Sequence, residues 1–204
     1  MKRLIAAGLL AGLATPAAAG VSTFTDLAAW QAAAGPSTLE DFSGSPPGIL
    51  SAGSTDIGAF SIFLDKNNSG DNTIAGQRFN GYIDDPTASI DNGALVLRFD
   101  FEAPLVGFAG DWLSMINADR VTVTLAGQTI EFDNFLTGNG DGFLGFVSTV
   151  PFTSLQFGLE LASATIDGER FALDNARLAA TVPEPPAITL LTGALFVAGV
   201  WRRR

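Results

Sequence analysis

Leu95, Leu97, Phe99 and Phe101 alternate with Val96, Arg98 and Asp100, so one face of this segment is apolar and the other mostly polar. A period of two predicts a half-buried β-strand. Val121, Val123 and Leu125 repeat the pattern against Thr122 and Thr124. Ala126-Gly127 then predicts a tight turn into a partner strand over 129–132. Leu155, Phe157, Leu159 and Leu161 alternate with Gln156, Gly158 and Glu160. Shorter apolar runs over 38–42, 59–64, 105–109, 143–149 and 171–178 read as further strands. One segment breaks the rhythm. Thr25 reads as an N-cap, Asp26 suits the positive end of a helix, Leu27 and Trp30 share a face, and Gly35-Pro36 stops it.

Many short strands between Gly, Asn and Asp turns predict an all-β fold, a β-sandwich with one short N-terminal helix. A jelly-roll-like topology is preferred over an immunoglobulin-like one. The chain holds 16 phenylalanines, enough bulk for a layer between two sheets. It has no cysteine, so the core forms without disulfides. About 160 residues suffice for that.

The two ends follow other rules. Lys2 and Arg3 precede an apolar run, Leu4 to Leu13, and then Ala17-Ala18-Ala19, the layout of a signal peptide cleaved after Ala19. At the other end, after Val182, Pro183, Pro185 and Pro186 lack backbone donors and predict an extended stretch around Glu184. An uncharged apolar run to Trp201 follows, then Arg202, Arg203 and Arg204, which favour the cytoplasmic side of a membrane. The expected organisation is a signal peptide over 1–19, a β-sandwich body over 20–181, and a sorting segment with a membrane helix over 182–204.

This tail resembles the PEP-CTERM sorting signal of Gram-negative bacteria in Val182, Pro183, Glu184 and Pro185, the apolar span, and Arg202, Arg203 and Arg204. The resemblance implies processing by an exosortase after signal peptidase has acted. It also implies export across the inner membrane, a transient inner-membrane anchor, and final residence at the cell surface or in the extracellular matrix. The body is similar to a domain type found among such proteins. The similarity lies in Phe24 to Trp30, Glu40-Asp41-Phe42, Leu97 to Asp100 with Gly107-Phe108, and Phe171 to Asn175. Related jelly-roll modules bind carbohydrate and hold a structural calcium. By that likeness Glu40, Asp41 and Asp174 are candidate metal ligands. The alternative is that Glu40 and Asp41 face solvent and Asp174 caps a strand end.

Charge narrows the partners. Of 11 basic and 21 acidic residues, five basic (Lys2, Arg3, Arg202, Arg203, Arg204) and one acidic (Glu184) lie in the terminal segments. The body keeps 6 basic and 20 acidic residues, a net charge of −14. Nucleic acid is therefore not an expected partner. There is no histidine, which excludes Ser-His-Asp and Cys-His catalysis and His-ligated metals. Lys66 is the one lysine of the body, and no Ser-x-x-Lys or phosphate-loop pattern occurs. Asp65 to Asp71 opens like a calcium loop but has Gly76 at its twelfth position, and Asn139 to Gly142 reads as a turn. Tyr82 and Trp112 are candidate exposed aromatics for a sugar platform.

The leading expectation is a non-enzymatic, exosortase-processed surface or matrix protein associated with exopolysaccharide. A structural calcium is its one candidate cofactor. A carboxylate-based glycan hydrolase or lyase, and an unprocessed membrane-anchored periplasmic domain, are the alternatives.

Overall fold

The computed structural model describes residues 20–67, 70–84, 94–114, 121–132, 141–159 and 168–180. In chain order the elements are β1 (Val21–Phe24), α1 (Leu27–Ala34), β2 (Thr38–Glu40), β3 (Gly48–Ile49), β4 (Gly53–Asp56) and β5 (Ser61–Leu64). They continue with β6 (Thr73–Ile74), β7 (Phe79–Asp84), β8 (Leu97–Leu113), β9 (Val121–Leu125), β10 (Gln128–Glu131), β11 (Gly142–Leu159) and β12 (Gly168–Ala180).

The alternating segments do become strands. Leu97 and Phe99 are fully buried between half-exposed Arg98 and Asp100. Val121, Val123 and Leu125 are buried between Thr122 and Thr124. The turn at Ala126-Gly127 joins β9 to β10, with Leu125 opposite Gln128 and both turn residues at positive φ. Leu95 lies outside the strand and is 39% exposed, so the first segment begins two residues later than its pattern implied.

The sandwich expectation is overturned. Among the described residues all twelve strands belong to one hydrogen-bonded sheet, whose longest path runs β10-β9-β11-β8-β12-β7-β6-β3 and does not close into a barrel. The reason lies in two very long strands. The segments over 95–101 and 105–109 are halves of β8, and those over 143–149 and 155–161 are joined in β11, whose described part ends at Leu159. Register between β8 and β11 slips between Val147 and Phe152 and again between Phe152 and Ser154. Pro104 and Pro151 fall in this irregular stretch, where a missing backbone donor is tolerated. Chain that read as turns between separate sheets is bulged strand within one.

The bulges let the sheet fold over its own core. Phe157 lies opposite Leu97, at one end of β8. Its ring sits 5.8 Å from that of Trp112, at the other end. Fifteen residues of straight strand would separate Leu97 from Trp112 by roughly 50 Å, so β8 bends back on itself. Phe60, Phe79, Phe99, Phe108, Phe157 and Phe171 fill the enclosed space with mostly edge-on or tilted ring contacts.

The helix covers part of the opposite face. Asp26, rather than Thr25, is its N-cap, and its carboxylate accepts a hydrogen bond from the Ala29 amide at 2.8 Å. Trp30 and Ala34 pack with Ala109 and Ala179 in a second, smaller cluster. A Cβ on Gly145 would lie 2.5 Å from Trp30, so glycine there is what lets the indole lie against β11.

Among the described residues no helix is long and apolar enough to cross a membrane, and the described helix has eight residues. The membrane-helix part of the expected fold, and the inner-membrane anchoring and surface residence built on it, therefore have no structural basis. The signal peptide over 1–19 and the sorting segment with Val182, Pro183, Glu184, Pro185, Arg202, Arg203 and Arg204 lie outside the described residues.

Candidate functional site: a polar cleft across three strands

Glu40, Asp41 and Asp174 occupy three separate local arrangements. Glu40 lies opposite Ala176 at the end of β2, and its carboxylate accepts the Phe42 amide at 2.7 Å. Asp41 accepts both the hydroxyl (2.6 Å) and the amide (3.0 Å) of Ser43. These bonds, the hydroxyl's first, hold its carboxyl below the usual range. Asp174 lies opposite Asp111 and accepts the amide of its neighbour Asn175 at 2.7 Å. Among the described residues no three Asp, Glu, His or Cys side chains are gathered as a metal shell requires. The structure does not bring Glu40, Asp41 and Asp174 together as such a shell.

The loop after β5 likewise spends its polar groups internally. The Asp65 carboxylate accepts the Val96 amide at 3.0 Å. The Asn67 side chain donates to the carbonyls of Leu50 and Asn72 at 2.7 and 3.1 Å. Asn72 is fully buried and pairs with Tyr82 as a strand would: it accepts the Tyr82 amide at 2.9 Å and donates to the Tyr82 carbonyl at 3.2 Å. Residues 68–69, and those of the expected turn at 139–140, lie outside the described set. Asp141 accepts the Ser114 amide at 2.6 Å.

Neither candidate aromatic is an exposed platform, which corrects that expectation. Trp112 is fully buried; its indole donates to the Leu144 carbonyl at 3.1 Å and its ring meets Phe132 at 5.0 Å. It lies next to the last residue of β8, where the strand is paired on both sides, by β11 and β12. Tyr82 is 6% exposed and lies beneath Arg170, whose guanidinium sits 5.0 Å from the ring centroid.

That guanidinium marks a cleft of ≈400 Å³ at the junction of β6, β7 and β12. Asn80 and Arg170 alternate along their strands with core residues Phe79 and Phe171, so they project away from the core. Thr73 lies opposite Asn80, and the Asn80 amide donates to its hydroxyl at 3.3 Å. Arg170 pairs with Asp71 at 3.0 Å while its side chain stays 67% exposed. Arg78 and Ser114 line the same space. The result is a concave strip of planar polar side chains on a rigid sheet, with a size within the range of small-ligand sites. A second hollow of ≈430 Å³ is mostly apolar, and its walls include Phe101, Leu105 and Leu178. It offers far fewer groups able to orient a polar ligand.

Sequence reading missed Thr73, Arg78, Asn80 and Arg170, and noted Asp71 only as the end of a calcium-loop-like run. The one local signal was the pair Gly76-Gln77 between Ile74 and Phe79, a two-residue hairpin turn. Fold and cleft together define the class: a mostly-β domain with one short helix and a polar cleft on its sheet. No protein-family model matches the chain, and no curated protein matches it.

Proposed function

We propose that this domain binds a polyhydroxylated ligand, a saccharide, in the cleft between β6, β7 and β12, and that it performs no chemistry on it. The observation that carries this reading is the convergence of Asp71, Thr73, Asn80 and Arg170 on one concave patch of sheet. Amide, hydroxyl, carboxylate and guanidinium groups match the paired donors and acceptors of adjacent sugar hydroxyls. Their positions on strands reduce the ordering cost of binding. Asp71 is the one carboxylate among the described lining residues, whereas glycoside hydrolysis ordinarily uses two. An exopolysaccharide is the macromolecular partner of matching chemistry.

We further propose that Val182 to Pro185 with Arg202 to Arg204 form a PEP-CTERM-like recognition element. Exosortase and signal peptidase would then be partners of the terminal segments. The support is the residue pattern alone.

The cleft reading is tested by screening the full chain against immobilised neutral and acidic oligosaccharides. Retention should appear, and Asn80→Ala with Thr73→Val should weaken it by roughly tenfold, the loss of one or two hydrogen bonds. Retention unchanged in that double variant would remove the cleft as the site. No retention of any saccharide would remove the ligand class.

A further inference from the structure

We propose that the ligand of this cleft carries a carboxylate and that Arg78 is its anchor, an inference that rests on the cleft being the saccharide site. The body carries a net −14, with 6 basic residues. Two of them, Arg78 and Arg170, line one cleft, against the single carboxylate Asp71. A strongly negative domain thus holds a locally positive hollow.

The other described cations are engaged. Arg98 forks onto Asp100 at 2.6 and 2.9 Å. Arg177 donates to the Asn175 carbonyl at 2.8 Å and lies 3.9 Å from Asp111. Lys66 lies 3.5 Å from the buried Asp84. Arg170 holds Asp71. Among the described residues the Arg78 guanidinium is the cationic group with no hydrogen-bond or ion-pair partner. It is also half-buried, where an unmatched charge is costlier than on open surface.

The backbone fixes where that group is presented. The Ala75 amide donates to the Arg78 carbonyl at 3.1 Å, closing the turn between β6 and β7. Its two central residues, Gly76 and Gln77, have φ of 61° and 58°, the mirror-image turn that suits a twisted hairpin. Gln77 holds the left-handed conformation at some cost, since a side chain disfavours it. A Cβ on Gly76 would sit 4.0 Å from Arg78 Nε, so the guanidinium lies back beside the turn. A planar fork in this position matches the two oxygens of a carboxylate. Arg170, over the Tyr82 ring and mostly exposed, is the second cation of the cleft. Asn80 and Thr73 then meet hydroxyls of the same sugar ring.

The test compares two probes of equal size, tri-galacturonic acid and its fully methyl-esterified form, by calorimetric titration of the full chain. The acid should bind about tenfold or more tightly than the ester, as a charge-assisted contact requires. In Arg78→Gln that ratio should collapse to about one, while the thermal midpoint stays unchanged. Equal affinities in the wild-type chain would overturn the carboxylate assignment, and a preference that survives Arg78→Gln would overturn Arg78 as the anchor; either leaves the saccharide site standing. Binding of neither probe would overturn both. Sulfate displacing the acid at equal concentration would reduce the site to a general anion contact and overturn the sugar-acid assignment.

Discussion

Phe99→Ala should lower the stability of the chain by about 3–5 kcal/mol, the cost of emptying a phenylalanine site in a well-packed core. Phe99 has no exposed surface, and its ring meets those of Phe60 (4.9 Å), Phe79 (5.6 Å), Phe108 (6.0 Å) and Phe157 (4.8 Å). These rings come from the segment before β5 and from β7, the far half of β8, and β11. Phe99 is therefore the point at which the folded-over sheet touches itself. Few neighbours can relax into the space, because Ile62 and Leu155, opposite it on β5 and β11, are themselves fully buried. Urea unfolding followed by far-ultraviolet circular dichroism measures the change. A shift within ~0.5 kcal/mol is what an exposed surface site gives, and it would contradict the bent sheet.

Trp30→Ala should cost a similar ~3–5 kcal/mol, but locally. An isolated helix of eight residues is not stable in water, so α1 depends on what it packs against. Trp30 is fully buried, donates its indole N–H to the Phe146 carbonyl at 3.1 Å, and meets the Phe143 ring edge-on at 6.4 Å. Its removal takes away the main contact and leaves that carbonyl without its extra donor. Hydrogen exchange should then show the α1 amides losing protection while those of β8 and β11 within the main core keep most of theirs. Unchanged protection in α1 would mean that the indole is not what seats the helix.

How much of this could be read from the chain depends on how each segment is buried. Leu97 to Phe101 and Val121 to Leu125 bury every second residue, so period two was visible. The helix carried its own stop and start residues, with the cap displaced by one. By contrast β7 buries five of its six residues, Asp84 among them, and so shows no alternation. The long strands hid for another reason. Pro104 and Pro151 look like strand ends, and only pairing shows that the chain continues through them as bulges. That single ambiguity turned one folded sheet into two imagined ones.

The cleft was illegible because its residues are dispersed. Asp71 and Thr73 precede one turn, Arg78 and Asn80 follow it, and Arg170 arrives from a strand some ninety positions later. Apart from Asp71, which ends the calcium-loop-like run, none of these positions has a motif around it. Tyr82 was noticed for its ring, but its part is to lie under Arg170. Glu40, Asp41 and Asp174 drew attention as acids, yet each carboxylate is satisfied by an amide one or two residues away. Such local bonds, favoured in turns, are invisible in a list of charges.

The most direct measurement is backbone amide NMR of the full chain titrated with tri-galacturonic acid. The account predicts progressive shifts at Asp71, Thr73, Arg78, Asn80 and Arg170, the residues that line the cleft. Shifts confined instead to Phe101, Leu105 and Leu178 around the apolar hollow, or no shifts at all, would contradict it.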